Sequence, residues 1–230
     1  MNLFKSIIAI CLASTALLAG AQNKDWAQLQ RYNQANNELR ADKNATVKVV
    51  FLGNSITDNW ARMRPDFFSG NSFVGRGISG QTSSQFLVRF RQDVVGLSPS
   101  AVIINAGTND VAENTGPYNE DVTFGNIQSM VEIARANNIK VILSTVLPTS
   151  EFGWNKAITD APQKIAGLNK RLRKYAADNK IPFVDYFTPL VADDGISLNP
   201  AYTTDGVHPT DAGYVVMEQT VLPIIKKNVK

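Results

Sequence analysis

Cysteine and histidine are nearly absent from this chain. Cys11 and His208 are the only residues of their types among 230, and Cys11 falls in a segment that we predict to be removed. The mature protein would then have no disulfide, cysteine nucleophile, cysteine-based zinc site or iron–sulfur cluster. The sequence also lacks a Walker A loop and an H-E-x-x-H motif. Acid–base chemistry near neutral pH therefore depends on a single imidazole.

The chain also has no large excess of charge of one sign. The formal net charge is +3, which is too small for a chain of this size to indicate a nucleic-acid partner. Lysine and arginine form no long run, and the pair Lys226-Lys227 suits the negative end of a C-terminal helix dipole. After the N-terminal segment, no stretch is long and apolar enough to span a bilayer. We therefore expect neither a nucleic-acid partner nor stable membrane insertion.

The first 21 residues have the features of a secretory signal. Lys5 supplies a positive charge, residues 7–18 are mostly apolar but short for a membrane span, and Ala19-Gly20-Ala21 fits a cleavage site. A buried N-terminal helix is one alternative. A lipoprotein signal is another, but the residues before Cys11 lack the small side chain that precedes a lipidated cysteine. We predict that residues 1–21 are a signal peptide and that the protein is exported, to the periplasm or beyond the cell.

Strand and helix patterns alternate along the rest of the chain. Short apolar runs are typical of strands buried on both faces of a parallel sheet; they cover residues 47–52, 101–104 and 141–143, with weaker signals at 72–74 and 182–184. Helical spacing fills the intervals, at residues 26–39, 82–95, 124–136, 161–177 and 211–225. This alternation predicts one α/β domain over residues 22–230, with about five parallel strands between two layers of helices.

His208 lies in Asp205-Gly206-Val207-His208-Pro209, a turn-rich segment before the last predicted helix. Histidine is the usual general base near neutral pH, although an isolated histidine is more often a surface or core residue. Asp205 changes that balance, because a carboxylate three residues away in a turn can reach the imidazole Nδ1–H and stabilise the imidazolium. The pair predicts a general base and its orienting acid.

Ser55 directly follows the strongest predicted strand, in Gly53-Asn54-Ser55-Ile56-Thr57. A serine at this point is exposed at the edge of the sheet, and its backbone N–H lies at a helix N-terminus, where developing negative charge is stabilised. A helix N-cap is the alternative role. Because the two roles are compatible, the position predicts that Ser55 is a nucleophile.

Asn109 holds the corresponding place after another strand, in Gly107-Thr108-Asn109-Asp110. Its side-chain NH₂ can donate to an oxyanion, although a turn or helix cap is the commoner use of Asn-Asp after a strand. In a flavodoxin-like sheet of order 2-1-3-4-5, strands one and three are neighbours at the switch point where ligands bind. With that strand order, Ser55 and Asn109 would share one crevice.

The segment Gly75-Arg76-Gly77-Ile78-Ser79-Gly80 satisfies the G-x-G-x-x-G pattern, so a nucleotide-binding protein is a competing hypothesis. The acidic residue expected about 20 positions later, at the end of a second strand, has no good match. Asp93 is too close and lies in a predicted helix. Glycine also lets the backbone approach a ligand closely, so one N–H of this turn is a candidate oxyanion donor.

Together these segments resemble the four sequence blocks of the SGNH or GDSL-type hydrolases, at residues 53–57, 76–82, 107–110 and 205–209. One block alone would be weak, but all four occur in the family order and extend over nearly the whole mature chain. Bacterial relatives of platelet-activating-factor acetylhydrolase are the members that the chain resembles most. The family usually has aspartate where this chain has Asn54, which removes a charge beside the nucleophile and bears on the pKa tuning of the site.

The resemblance implies a flavodoxin-like three-layer α/β/α sandwich with strand order 2-1-3-4-5, and a serine esterase that needs no cofactor. It implies that Ser55 is the nucleophile, His208 the base and Asp205 the acid that orients it. It also implies an oxyanion hole made by the N–H groups of Ser55 and Gly80 and by the Asn109 amide.

The substrate follows less directly. A short chain without an apparent lid suggests an open site for a small acyl group such as acetyl, and export together with the acetylhydrolase likeness suggests acetylated carbohydrate. The candidate substrate-binding residues are Asn54, Trp60, Trp154 and Tyr202, with Phe152 as a further aromatic; for at least two of these aromatics core packing is the alternative. Competing functions are a lysophospholipase or thioesterase of the same fold and an inactive carbohydrate-binding relative.

Overall fold

A sheet of five parallel strands forms the centre of the protein. The computed structural model describes residues 25–229, and the strand order is β2-β1-β3-β4-β5. The strands are β1 (Val49–Gly53), β2 (Phe73–Gly77), β3 (Ala101–Ile104), β4 (Lys140–Ser144) and β5 (Phe183–Val184). This confirms the predicted fold class and strand order. The predicted signal peptide, residues 1–21, lies outside the described residues.

Helices cover both faces of the sheet. They are α1 (Asn33–Ala41), α2 (Ser55–Met63), α3 (Pro65–Ser69), α4 (Ser83–Asp93), α5 (Thr108–Val111), α6 (Glu120–Ala136), α7 (Ala161–Asp178), α8 (Phe187–Leu190) and α9 (Asp211–Asn228). Within residues 25–229, no helix combines the length and apolar character that crossing a bilayer requires.

Alternate strand residues enter two separate cores. Phe51 and Ile103 pack on one face of the sheet with apolar side chains of α2, α3 and α9. Leu52 and Ile104 pack on the other face with those of α4, α6 and α7. Because both faces are covered, every residue of β1 and β3 is buried, which explains the nearly continuous apolar runs in their sequences.

The first helix begins later than its sequence pattern predicts. Residues 26–32 form turns, and the helix starts at Asn33 rather than near Trp26. In this segment the backbone carbonyls of Trp26 and Ala27 accept hydrogen bonds from the side chains of Gln85 and Gln81. These tertiary partners replace intrahelical hydrogen bonds, so the helical spacing of residues 26–32 is overridden.

Candidate active site

Ser55 opens helix α2 at the carboxyl end of the central strand β1. Asn54 caps this helix, since its side-chain Oδ1 accepts the Ile56 backbone N–H at 2.9 Å. The alternative role of Ser55 as the N-cap is therefore wrong, and its hydroxyl is left for other contacts. The first N–H groups of a helix have no intrahelical acceptor, so the Ser55 N–H lies at the positive end of the α2 dipole.

A chain of hydrogen bonds connects the Ser55 hydroxyl to an imidazole and a carboxylate. Ser55 Oγ lies 2.8 Å from His208 Nε2, although 153 positions separate the two residues in sequence. His208 Nδ1 lies 2.7 Å from Asp205 Oδ2. With the ring proton on Nδ1, facing the carboxylate, Nε2 is free to accept from the hydroxyl. This is the arrangement in which a hydroxyl can become a nucleophile.

Hydrogen bonds between side chains and backbone stabilise the turn that carries the imidazole. Asp205 Oδ1 accepts the N–H groups of Val207 at 2.9 Å and His208 at 2.8 Å. Thr203 Oγ1 donates to the His208 carbonyl at 2.8 Å. Gly206 has a φ of +78°, in the left-handed region that glycine adopts without strain. The ring orientation is therefore fixed by the local fold.

Asp205 contributes the carboxylate of this pair. Partial burial alone would raise the pKa of its carboxyl, but hydrogen bonds from the His208 backbone, the His208 ring and the Val207 N–H outweigh burial and lower the pKa to about 2. The carboxylate is therefore ionised at any pH near neutral. An anion at Nδ1 stabilises the imidazolium that forms when His208 takes a proton.

Three candidate oxyanion donors lie beside the hydroxyl. Among the described residues, the backbone N–H groups of Ser55 and Gly80 donate to no protein acceptor. Gly80 has a φ of +79°, a conformation that glycine tolerates in a tight turn. Asn109 Nδ2 donates one hydrogen to the Gln81 carbonyl at 2.9 Å, and an amide nitrogen carries a second hydrogen.

These groups line one open cleft with a volume of about 440 Å³. Its lining residues are mostly of small, polar, uncharged types: three asparagines and two serines surround the imidazole. The lining residues are Ser55, Asn59, Ser79, Gly80, Asn109, Asn114, Trp154 and His208.

Trp154 forms the aromatic wall of this cleft. Its side chain is half exposed, and its ring centroid lies 6.3 Å from that of His208. The indole Nε1–H donates to Asn114 Oδ1 at 3.0 Å, and Asn114 Nδ2 donates to the Gly80 carbonyl at 3.0 Å. The buried Phe152 ring packs beneath the indole at 5.2 Å. Trp154 is therefore held in place beside the imidazole with one part of its ring open to ligands.

Trp60, a candidate substrate-binding residue, lies in the core. It is 2% exposed, and its ring stacks on Phe67 and Tyr214 at centroid distances of 5.2 Å and 5.7 Å. Its Nε1–H donates to Glu218 inside the protein. The prediction that Trp60 contacts substrate is wrong, because at 3.6 residues per turn the fifth position after Ser55 lies nearly on the opposite face of α2, towards the core.

Two other predicted contacts also lie apart from the cleft lining. Asn54 is buried and its side chain is used as the helix cap. Tyr202 is partly buried and packs against the core on the α9 face of the sheet. Of the four predicted substrate-binding residues, only Trp154 borders the cleft.

Three cleft residues were not predicted from the sequence. Asn59 lies four positions after Ser55 on the same helix, a spacing that places both on one helix face and could have indicated it. Ser79 directly precedes Gly80. Asn114 has no signal in its local sequence, since the irregular chain after α5 brings it to the cleft.

The glycine-rich segment serves backbone packing. Gly75 and Gly77 belong to strand β2 and not to a turn between strand and helix. A Cβ on Gly77 would lie 2.2 Å from the Asp58 nitrogen and 2.6 Å from the Asn54 carbonyl oxygen. Glycine is thus required for β2 to pack against the start of α2. This geometry contradicts the dinucleotide-binding alternative, whose glycines would cradle a pyrophosphate at a helix N-terminus.

Comparison with known proteins gives a family and close structural relatives. The sequence pattern of the GDSL-like lipase/acylhydrolase family matches residues 51–216. A proposed acylhydrolase from Bacteroides fragilis is 63% identical, with a TM-score of 0.86 over 89% of this chain and 99% of its own. A GDSL-like lipase from Bacteroides thetaiotaomicron is 58% identical, with a TM-score of 0.85 over 88% of this chain and 99% of its own.

More distant relatives share the fold or part of their length. An acetylxylan esterase from Geobacillus stearothermophilus has a TM-score of 0.63 at 20% identity, over 80% of this chain and 96% of its own. An N-acylneuraminate cytidylyltransferase from Escherichia coli is 23% identical over 89% of this chain and 47% of that protein. A lipoprotein of Bacillus subtilis is 31% identical over 40% of each chain. The chain thus spans about half the length, or less, of these two curated relatives.

Proposed function

The chain belongs to the GDSL-like lipase/acylhydrolase family, and we propose that it is an exported serine esterase that removes short acyl groups, above all acetyl, from carbohydrate. The observation that carries this proposal is the hydrogen-bonded chain from Asp205 through His208 to Ser55, which ends in a cleft with free N–H donors.

The proposed reaction has two steps. His208 Nε2 takes the hydroxyl proton as Ser55 Oγ attacks the ester carbonyl, and the oxyanion accepts from the N–H groups of Ser55 and Gly80 and from Asn109 Nδ2. Collapse breaks the bond to the alkoxy oxygen, and the alcohol leaves with the proton from His208. Water then gives a proton to the same imidazole and attacks the acyl-enzyme, which releases the carboxylic acid and restores the Ser55 hydroxyl.

The small side chains that line most of the cleft favour a short acyl group. Sites for long acyl chains are lined mainly by apolar side chains, whereas Trp154 is the one large apolar side chain among the cleft residues. The three amides can hydrogen-bond the hydroxyl groups of a sugar, and the half-exposed indole offers a flat face beside the imidazole. The names of two relatives, an acetylxylan esterase and an N-acylneuraminate cytidylyltransferase, support a carbohydrate substrate.

Covalent labelling tests the nucleophile. A fluorophosphonate probe should add to Ser55 and to no other residue, as read by peptide mass spectrometry, and the Ser55→Ala variant should remain unlabelled. On the subtilisin precedent, loss of the nucleophile should lower kcat by about 10⁶-fold. An unlabelled native protein without esterase activity would favour the inactive carbohydrate-binding alternative.

An ester series tests the acyl group and the alcohol. The p-nitrophenyl esters from acetate to decanoate should be hydrolysed with kcat/KM highest for acetate; a maximum at long chains would favour a lipase or lysophospholipase. Trp154→Ala should raise KM for acetylated pyranosides more than for ethyl acetate, since only the pyranoside has a ring to place on the indole. An equal change for both substrates would contradict the role of Trp154.

Export is a separate part of the proposal. Expressed in a bacterial host with its first 21 residues, the protein should be recovered outside the cytoplasm with a mature N-terminus near Gln22, as measured by N-terminal sequencing. Recovery of uncleaved chain from the cytoplasm would contradict it.

A further inference from the structure

Arg89 on helix α4 has a guanidinium that is buried completely. Its side chain is 0% exposed and makes three hydrogen bonds: Nη2 to the Gly53 carbonyl at 2.9 Å, Nε to Gln81 Oε1 at 2.7 Å and Nη1 to Asp93 Oδ2 at 3.0 Å. Burial lowers the pKa of this guanidinium, and the Asp93 carboxylate opposes that effect. A buried charge is costly unless it is paired and hydrogen-bonded. The three acceptors of Arg89 therefore hold its guanidinium in one position, and it in turn holds them.

Two of these contacts fall on the chain segments that carry the candidate oxyanion donors. Gly53 ends β1 and precedes Ser55 by two residues. Gln81 follows Gly80, and its backbone carbonyl accepts from Asn109 Nδ2 at 2.9 Å. One planar group therefore bridges the segment of the Ser55 N–H and the segment that supplies the Gly80 N–H and orients the Asn109 amide.

We propose that Arg89 is a positioning residue for the oxyanion hole, an inference that rests on the proposed esterase function. Oxyanion stabilisation requires donors at 2.7–3.1 Å from the developing charge, and displacements of about 0.5 Å are enough to lose much of the effect. Arg89 does not border the cleft, so its role is to position other groups. It fixes the spacing between the end of β1 and the segment at Gln81 through a fork of N–H groups that a lysine ammonium does not reproduce.

Arg76 provides a matched comparison. It is 5% exposed and belongs to the same buried polar cluster, since its Nε donates to Asn36 Oδ1 at 2.8 Å and Asn36 Nδ2 donates to Asp93 at 2.7 Å. Its other hydrogen bond goes to the Gly75 carbonyl on the edge strand β2. Arg76 is therefore a buried arginine in similar surroundings whose guanidinium donates a hydrogen bond to neither Gly53 nor Gln81.

The test compares Arg89→Lys with Arg76→Lys, using p-nitrophenyl acetate and measuring the thermal midpoint of each variant. Both should be less stable than the native protein. At a temperature well below both midpoints, Arg89→Lys should lower kcat by about tenfold or more, a fraction of the loss for removing one donor. Its KM should stay within about twofold of the native value, and its pH profile should be unchanged because the His208 turn is untouched. Arg76→Lys should keep the native kcat.

The outcomes separate this inference from the proposed function. Native kcat in Arg89→Lys, or equal losses of kcat in both variants, would overturn the positioning role while leaving the esterase intact. An inactive native protein would overturn both. Should Arg89→Lys fail to fold, Gln81→Met and Gln92→Met decide. Both remove a side-chain donor to the N-terminal segment, at the Ala27 and Leu29 carbonyls, but only Gln81→Met also removes the acceptor of Arg89 Nε and should lower kcat. Equal kcat in Gln81→Met and Gln92→Met would count against the inference.

Discussion

Asn109 is the one proposed oxyanion donor that side-chain substitution can remove. Asn109→Ala should lower kcat on a short acetyl ester by about 10²–10³-fold, the loss typical of one donor, with little change in KM. The substitution also removes one buried hydrogen bond to Gln81, worth about 1 kcal/mol, so kcat is measured well below the thermal midpoint. A kcat close to the native value would show that Asn109 serves only as a turn residue, the alternative that its sequence position left open.

Asp205 should make the fold sensitive to acid. Its pKa is about 2 in the folded protein, against about 3.9 for an unperturbed aspartate. An acid with a lowered folded pKa contributes stability above its unfolded pKa, and that stability is lost as the pH falls from about 4 through about 2.

The comparison of native protein with Asp205→Asn measures this contribution. Free energies of unfolding in urea should differ most above pH 4, and the difference should shrink as the pH falls towards 2. A difference that stays constant over this range would mean that the hydrogen bonds of the Asp205 turn do not depend on its charge.

At the scale of elements, the strands were easier to predict than the first helix. The strands β1 and β3 are buried on both faces, so their apolar runs stand out from any alternating pattern. The segment 26–32 has helical spacing, but its carbonyls accept hydrogen bonds from Gln81, which precedes α4, and from Gln85 in α4. Such long-range partners leave no trace in the segment's own sequence, which is why the predicted start was wrong.

The site shows the same division. The Ser55, Asn109 and His208 segments could be found because each follows a strand or precedes a helix with turn residues around it, and parallel strands deliver such segments to one edge. Which aromatic residues are buried could not be predicted from the sequence, since Trp60 and Trp154 are the same residue type. One faces the core from a helix and the other stands on a loop beside His208.

The N-terminus of α5, which carries Asn109, depends on Gly107. Its φ is +124°, and a Cβ there would lie 2.6 Å from Leu168 and 2.8 Å from Val146. Gly107→Ala should therefore reduce the free energy of unfolding by about 1–3 kcal/mol from backbone strain alone, and should lower kcat by displacing Asn109.

Gly125 in α6 is the control, because a Cβ at this position would have no heavy atom within 4 Å. Gly125→Ala should raise the free energy of unfolding by about 0.5–1 kcal/mol, the usual gain in a helix interior. Urea denaturation of the two variants measures both changes. Equal stabilities would mean that α5 adapts to a side chain at Gly107.

At the scale of the molecule, the site combines residues from an early and a late part of the chain. Ser55 begins α2 and His208 lies just before α9, so the distance between hydroxyl and imidazole depends on how these helices are held together. Tyr214 on α9 donates its hydroxyl hydrogen to the Ile56 carbonyl at 2.9 Å. This contact reaches the first turn of α2, directly beside Ser55.

Glu218 on α9 makes a second connection between this helix and the region of α2. It accepts from Trp60 Nε1 at 3.3 Å and from Arg64 Nε at 2.9 Å, and it is 9% exposed. Arg64 also pairs with Asp211, whose side chain is 61% exposed. The Arg64 guanidinium thus has one buried carboxylate partner, Glu218, and one solvated partner, Asp211. Loss of Asp211 leaves its place to water, whereas loss of Glu218 leaves buried N–H groups without an acceptor.

Glu218→Ala should therefore reduce the free energy of unfolding by about 2 kcal/mol, because the buried Trp60 N–H and part of the Arg64 guanidinium lose their acceptor. Asp211→Ala should change it by less than about 0.5 kcal/mol, as for most exposed ion pairs. Urea denaturation of both variants tests the contrast, and equal losses would contradict it. Since the packing of α2 against α9 also sets the distance between Ser55 and His208, kcat should fall with Glu218→Ala and stay near native with Asp211→Ala, even where both proteins are fully folded.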